Sequence, residues 1–108
     1  MEKKNRTEAD RVMRKYPDRM PIMVAKHRNS SAKEIDKRKY LVPIDLTLGQ
    51  FQYVIRKRLQ LSPDKALFFF INGEIYCPNA MLFRIYETEH DSRDGFLHIT
   101  YSEESTFG

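Results

Sequence analysis

The side chains that could do chemistry in this chain are few and scattered. There is one cysteine, Cys77, and there are three histidines, His27, His90 and His98. They show no metal-ligand spacing, and a single cysteine forms no internal disulfide. The sequence also lacks paired carboxylates, a recognisable nucleophile and base, and a glycine loop that could hold phosphate. We therefore predict a protein that is not an enzyme and that needs no metal or cofactor.

Charge gives a weak indication of partners. Basic residues outnumber acidic ones by 19 to 15, for a formal net charge of +4, and they concentrate near the start and in the segments DKRKY and IRKR. A positive charge favours acidic partners. The arginine/glycine-rich and aromatic patterns of RNA-binding modules are absent, so we expect no nucleic-acid partner. A solvated basic surface is the simpler interpretation.

Length and hydropathy indicate one domain in the cytosol. A chain of 108 residues is enough for a single core and too short for two domains. No apolar stretch approaches the ~18 residues that a spanning helix needs, and the start MEKKNRTEAD lacks the apolar part of a signal peptide. We expect a cytoplasmic protein that is monomeric in solution.

Three segments have the apolar spacing of helices. TEADRVMRKYP has apolar residues at i, i+3, i+4 and i+7, with Thr7 as the predicted N-cap and a proline as the stop. In TLGQFQYVIRKRLQLSP, Thr47 and Gln50 form a T-x-x-Q capping box, and the Ser-Pro pair is the predicted end. AMLFRIYETEH is predicted to form a third helix capped by Asn79.

Strand patterns fill the intervals between these helices. MPIMVAKH and KRKYLVPI predict a hairpin with a long loop, and ALFFFI is followed by an Asn-Gly turn and a short return strand, EIYC. An Asp-Gly turn then leads into FLHITYS. A hairpin, a crossing helix and a late apolar strand are typical of an α+β fold, the β-grasp or ubiquitin-like domain, here with a short N-terminal helical extension. A ferredoxin-like alternative would have more evenly spaced elements.

This order predicts an extension over 1–20, a β-grasp domain over 21–102 and a tail over 103–108. In ubiquitin-like modifiers the terminal carboxylate reacts: it is adenylated, transferred to enzyme thiols as a thioester and attacked by an amine. Gly108 has no Cβ to crowd that carbonyl. Phe107 offers one apolar side chain that a processing enzyme would recognise. By pattern alone, a frayed terminus is the alternative.

Long blocks of the sequence carry a family resemblance. YPDRMPIMV, EIDKRKYLVPIDLTLGQFQYVIRKRLQL, KALFFFING and DGFLHITYSEESTFG resemble the ubiquitin-like autophagy modifiers. Animal members of this family include the GABA-receptor-associated protein and the microtubule-associated light chain three group. The resemblance covers about Ala9 to Gly108. Family members usually have a further short helix before this region, which MEKKNR is too short to replace, so we expect the first family helix to be missing.

The resemblance implies a conjugation cycle. Activating and conjugating enzymes would join Gly108 to phosphatidylethanolamine, which holds the protein on the autophagosomal membrane. The free form would be cytoplasmic. A cysteine protease would process precursors and release the lipid-bound form, and since nothing follows Gly108, the chain resembles the processed form.

The resemblance also implies binding of cargo-receptor peptides with an aromatic residue, two variable ones and an aliphatic one. The peptide would add a strand beside KRKYLVP. By position, the aromatic pocket would be lined by Glu8, Val12, Pro21, Met23, Lys39, Leu41 and Phe96. The aliphatic pocket would be lined by Tyr40, Val42, Pro43, Phe51, Val54, Ile55 and Arg58.

Strand alternation supports two pockets on opposite sides of one strand. It sends Lys39 and Leu41 to one side and Tyr40 and Val42 to the other. By pattern alone, the apolar members of both sets would be ordinary core. A second functional hypothesis is an interaction module that uses the same groove as a scaffold and is never conjugated.

Overall fold

The computed structural model describes residues 2–103 of the chain, with side chains from residue 8 onward. The elements are α1 (Glu2–Lys15), β1 (Arg19–Lys26), β2 (Lys39–Pro43), α2 (Leu48–Leu59), β3 (Phe68–Phe70), α3 (Leu82–Glu89) and β4 (Leu97–Ser102). This order confirms the predicted α+β, β-grasp class with an N-terminal helix. Residues 104–108 lie outside the described residues, and with them the predictions for Phe107 and Gly108.

The sheet has four strands in the order β2-β1-β4-β3. The first two strands form the predicted antiparallel hairpin, with Arg19 opposite Pro43. The last strand returns to the centre of the sheet and lies parallel to β1, with Ile22 opposite Leu97. A parallel pair needs a crossover connection, and α2 lies within that connection. As a result β2 and β3 are the edge strands.

The core lies between one face of the sheet and α2. Alternation along β1 sends Met20, Ile22 and Val24 into this core, where each is at most 1% exposed. From the helix, Ile55 is 0% exposed and Phe51 is 2% exposed. Burying such a side chain contributes roughly 1.5–3 kcal/mol. The contact between α2 and the sheet therefore accounts for much of the stability of the fold.

The ends of α2 follow from two local motifs. The predicted capping box is confirmed: the Gln50 backbone N–H donates to the Thr47 hydroxyl at 3.2 Å, and the Thr47 N–H donates to the Gln50 side chain at 2.8 Å. At the other end, Gln60 takes the left-handed conformation (φ 57°) and its N–H donates to the carbonyls of Arg56 and Lys57. The helix thus ends at Leu59, before the Ser-Pro pair predicted to stop it, because a left-handed residue turns the chain first.

Two predicted caps are wrong. Helix α1 begins at Glu2 and runs through Thr7, because the residues before Thr7 are mostly good helix formers that extend the helix. Helix α3 begins at Leu82, after an N-cap at Met81 that makes no side-chain cap bond, and Asn79 lies outside the helix. Long-range backbone bonds outweigh the capping preference of Asn79.

The segment before α3 is held by the start of α2. The N–H groups of Leu48 and Gly49 donate to the carbonyls of Ala80 and Pro78, each at 2.9 Å, and Met81 forms an isolated bridge with Thr47. The predicted return strand EIYC is wrong for the same reason. Only Glu74 pairs back, with Ile71 across the Asn-Gly turn, and the chain then passes to α2.

We expect Gly49→Ala to destabilise the fold, although glycine is usually the weaker residue in a helix. A Cβ at this position would lie 3.2 Å from both the Cβ and the carbonyl oxygen of Pro78. Relieving this contact requires a backbone shift that costs about 1–3 kcal/mol. Urea unfolding monitored by circular dichroism measures this change.

The control for this measurement is Lys57→Ala, at an exposed position of the same helix. Surface changes of this kind usually stay within about 0.5 kcal/mol. A Gly49→Ala protein as stable as the parent would show that the Pro78 segment yields without cost.

Candidate functional site

Among the residues that the structure describes, strand β2 pairs with another strand on one side only. Two bonds flank its pairing with β1: the Val24 N–H donates to the Arg38 carbonyl at 2.8 Å, and the Ile44 N–H donates to the Asp18 carbonyl at 3.0 Å. In an antiparallel pair, hydrogen-bonded and non-hydrogen-bonded residues alternate. The even-numbered residues of β2 therefore bond to β1, and the odd-numbered ones direct their backbone groups to the free edge.

The groups on this edge can receive another strand. Lys39 and Leu41 each direct an N–H and a C=O outward, and the guanidinium of Arg19 reaches the Leu41 carbonyl at 3.3 Å. Pro43 has no N–H, so a strand added here would lose a donor at that point. The open edge is thus short and has a defined end.

A cavity of about 310 Å³ lies beside this edge. It is lined by Glu8, Val12, Pro21, Lys37, Lys39, Tyr40, Leu41 and Phe96, and we call it the edge cavity. Six of the seven residues predicted for the aromatic pocket line it. The seventh, Met23, lies opposite Lys39 on the neighbouring strand and is half-buried.

Apolar walls and a basic rim characterise the edge cavity. The Lys39 ammonium bonds to a Glu8 carboxylate oxygen at 2.9 Å and lies 5.9 Å from the centre of the Phe96 ring. The Lys37 ammonium lies 5.1 Å from the centre of the Tyr40 ring. The cavity thus suits an apolar or aromatic group with an acidic neighbour.

Two lining residues, Lys37 and Tyr40, are not in the set carried over for the aromatic pocket. The same alternation that pairs Lys39 with Leu41 indicates Lys37, two residues earlier. Tyr40 is predicted for the aliphatic pocket, on the other face of β2. Its hydroxyl nevertheless donates to the carbonyl of Lys37, another residue that lines the edge cavity, at 2.8 Å. Burial raises the pKa of Tyr40, so the phenol keeps the proton that it donates.

A tight turn positions Phe96 in the edge cavity. The Asp94 carboxylate accepts from the Phe96 N–H at 2.9 Å, and Gly95 has the positive φ (79°) that the predicted Asp-Gly turn requires. The Tyr86 hydroxyl donates to the Gly95 carbonyl at 2.6 Å. These bonds fix the turn that carries the Phe96 ring between α3 and β4.

Next to this turn, ligand atoms of Asp91, Asp94 and His98 lie within 4.8 Å of one another. Asp94 bonds to His98 at 2.7 Å, and Arg93 holds the Asp91 carboxylate at 2.9 and 3.1 Å. Each group thus has a partner among the described residues. We assign these bonds to the stability of the turn.

We expect Arg93→Ala to raise the pKa of Asp91. Hydrogen bonds from the Arg93 side chain and backbone, with the charge of the guanidinium, lower this pKa from 3.8 to about 2. A depressed carboxyl pKa adds stability that is present above pH 3.8 and is lost as the pH falls towards 2. Removing the guanidinium should raise the pKa towards 3.8, but not fully, because the backbone N–H of residue 93 still donates to Asp91.

A carboxyl ¹³C NMR titration measures this pKa. The control is Ser62→Ala, which removes the hydroxyl that bonds to Asp64 at 2.6 Å and should leave Asp91 unaffected. An Asp91 pKa that stays near 2 in Arg93→Ala would assign the shift to another group.

Of the seven residues predicted for the aliphatic pocket, three lie on β2 and four on α2, and they differ in exposure. Tyr40, Val42, Phe51 and Ile55 are at most 9% exposed and belong to the core. The Tyr40 and Phe51 rings meet edge to face, with centroids 5.6 Å apart. Among these four, Ile55 is 0% exposed and forms no part of the surface.

The remaining three residues form the surface of this region, which we call the helix seam: Pro43, Val54 and Arg58. Val54 is 45% exposed. Arg58 bonds to both carboxylate oxygens of Asp36, at 2.9 and 3.4 Å, and this contact lowers the pKa of Asp36. Alternation along β2 places Leu41 in the edge cavity and Val42 in the core, on opposite faces of the strand.

Comparisons with known proteins place the chain among autophagy proteins. A family model described as "Autophagy protein Atg8 ubiquitin like" matches residues 4–108. Autophagy-related protein 8 of Schizosaccharomyces pombe is 57% identical over 105 residues, which span 97% of this chain and 86% of the relative. The Penicillium rubens protein of the same name is 53% identical over 105 residues, spanning 97% and 88%.

Solved structures show the same similarity. Trypanosoma brucei ATG8 superimposes with a TM-score of 0.92 at 42% identity, covering 100% of this chain and 92% of the other. Plasmodium falciparum Atg8, in complex with a P. falciparum Atg3 peptide, has a TM-score of 0.88 at 24% identity, covering 98% and 93%. The second match is evidence for the fold. Within residues 2–103, no helix has the length and apolar character that crossing a membrane requires.

Proposed function

The chain belongs to the Atg8 family of ubiquitin-like autophagy proteins, and from this premise we propose that it is joined through Gly108 to phosphatidylethanolamine and recruits cargo receptors to autophagic membranes. Family membership itself makes it an autophagy-related ubiquitin-like modifier. The edge cavity beside an open strand edge is the observation that carries the recruiting half of the proposal.

The conjugation half rests on the family match, which continues through Gly108. Activating and conjugating enzymes would convert the Gly108 carboxylate to a thioester, and a processing cysteine protease would recognise Phe107 beside it. An Atg3 peptide is bound in the P. falciparum Atg8 structure, and we include an Atg3-type enzyme among the proposed partners. The free protein would be cytoplasmic and the lipidated one would lie on the autophagosomal membrane.

The spacing of the receptor motif fits the two sides of β2. Side chains of an added strand alternate between faces, so residues three apart point to opposite faces. One face leads to the edge cavity, where Leu41 is 38% exposed, and the other leads to the helix seam. An aromatic-x-x-aliphatic peptide would fill both sites while its backbone bonds to Lys39 and Leu41.

The two sites are prepared to different degrees. The edge cavity already has room for an aromatic ring. The aliphatic side chain would rest on Val54 and Pro43, above the core residues Tyr40 and Phe51. Acidic residues next to the aromatic one would meet Lys37 and Lys39 at the basic rim.

Reconstitution tests the conjugation half. The full chain is incubated with ATP, cognate activating and conjugating enzymes, and liposomes that contain phosphatidylethanolamine. We expect a covalent product that floats with the liposomes and disappears when ATP is omitted. Absence of product, while S. pombe Autophagy-related protein 8 reacts with its own enzymes in parallel, would refute conjugation of this chain.

One observation favours a second candidate, an interaction module that is never conjugated. The edge cavity and the open edge are built entirely from residues 8–96 and need nothing from the tail. This candidate predicts the same peptide binding with no lipid product. The reconstitution therefore separates the two candidates.

A further inference from the structure

The outward face of α2 carries a second and larger cavity, of about 520 Å³. It is lined by Tyr53, Arg56, Lys57, Gln60, Leu61 and Pro63, and we call it the outer cavity. With 3.6 residues per turn, Tyr53 and Val54 lie about 100° apart around the helix. The outer cavity shares no lining residue with the helix seam or with the edge cavity, and Lys57, three residues after Val54, lies at the border with the helix seam.

The end of α2 and the loop after it form the walls of the outer cavity. The Arg56 guanidinium donates to the carbonyls of Lys65, at 2.7 Å, and Ser62, at 3.0 Å. The turn at Gln60 brings Leu61 back toward the helix, where its N–H donates to the Arg56 carbonyl at 3.2 Å. The cavity is therefore held by backbone bonds as well as by side-chain packing.

An apolar wall and a positive charge meet inside it. Tyr53 is 58% exposed, and the Lys57 ammonium lies 5.3 Å from the centre of its ring. Leu61 and Pro63 supply the apolar part. An exposed aromatic ring next to a cation and apolar side chains is the composition expected of a peptide-binding surface.

We propose that the outer cavity is a second peptide-binding site that takes an acidic segment of a partner protein. An apolar side chain of the segment packs on Tyr53, Leu61 and Pro63, and carboxylates on either side of it pair with Lys57 and Arg56. The volume falls within the range of ligand-binding clefts, roughly 300–1,000 Å³.

Charge and shape select this occupant over other anions. The lining residues of the outer cavity include two basic ones, Arg56 and Lys57, and none that is acidic, so acidic groups are attracted. A nucleic-acid backbone needs a longer row of cations, and it would leave the Leu61 and Pro63 wall unfilled.

Fluorescence anisotropy with the full chain tests this site. The probe is a peptide with one leucine between four glutamates and no aromatic residue, labelled with fluorescein through a glycine linker, and free fluorescein is the control for contacts of the dye itself. We expect Lys57→Glu to weaken its binding at least tenfold and Tyr53→Ala about fivefold. The matched control is Arg28→Glu, the same charge change at an exposed position in the β1–β2 loop, which should change binding less than twofold.

Competition separates this site from the groove. An unlabelled aromatic-x-x-aliphatic peptide should leave the acidic probe bound, whether or not that peptide itself binds. Displacement of the probe by this peptide would show that the probe binds in the groove. An equal loss of probe affinity in Lys57→Glu and Arg28→Glu would show that net charge alone causes the weakening. If a single-stranded oligonucleotide of equal charge binds more tightly than the probe, the ligand of this site is a nucleic acid and not a peptide. Any of these three results overturns the proposal.

Discussion

Deletion of Gly108 is expected to abolish attachment to phosphatidylethanolamine and to leave the fold unchanged. In the proposed reaction the lipid amine attacks the thioester carbonyl of Gly108, an amide bond forms and the enzyme thiolate leaves. Without the glycine, Phe107 would carry the carboxylate, and its side chain would crowd the same carbonyl. We expect no detectable product in the liposome flotation assay and an unchanged unfolding midpoint.

Two variants sharpen this experiment. Gly108→Ala adds a single Cβ and should slow conjugation without removing the reacting group. Ser105→Ala, three residues earlier, is the matched control in the same segment and should react like the parent. A lipid product of normal yield from the deleted chain would show that another group is the acceptor.

Leu41→Arg is expected to lower the affinity for an aromatic-x-x-aliphatic receptor peptide more than tenfold, or about 1.4 kcal/mol or more. Leu41 lines the edge cavity and is 38% exposed, so a longer side chain would occupy the space proposed for the aromatic ring. The folded protein should tolerate it because the position faces solvent. Isothermal titration calorimetry measures the affinity.

The choice of position matters for this test. Tyr40, which precedes Leu41 on the strand, is 9% exposed and packs on Phe51. Removing its ring would leave a void in the core and cost about 3 kcal/mol or more of stability. Phe83→Ala is a better control, since Phe83 is 36% exposed on α3 and should leave peptide affinity unchanged. Equal affinity in Leu41→Arg would place the peptide away from the edge cavity.

Local sequence signals were sufficient to predict the helix start and the turn that are fixed by bonds between neighbouring residues. The start of α2 was predictable because Thr47 and Gln50 bond to each other within one turn. The turn before β4 was predictable because Asp94 bonds two residues ahead and Gly95 takes a positive φ. In both cases the stabilising groups are neighbours in sequence.

Where hydrogen bonds between backbone groups distant in sequence determine the structure, it could not be predicted from local sequence patterns. Asn79 is a good cap by type, yet the chain there follows the carbonyl bonds to Leu48 and Gly49, and α3 starts later. The aliphatic set shows the same limit: type and spacing do not reveal that Ile55 is fully buried and Val54 is not. The outer cavity depends on the left-handed turn at Gln60. Glycine or asparagine usually marks such a turn in a sequence, and glutamine does not.

The central position of β4 has a mechanical consequence. This strand is bonded to β1 on one side and to β3 on the other, and the segment leading to the proposed lipid attachment follows directly from its end. Because the proposed cargo peptide binds at β2, a pull between this peptide and the tail would pass through β1 and load the β4–β1 and β1–β2 hydrogen bonds. A force between the membrane and the cargo would thus be carried by two neighbouring strand pairs of the sheet.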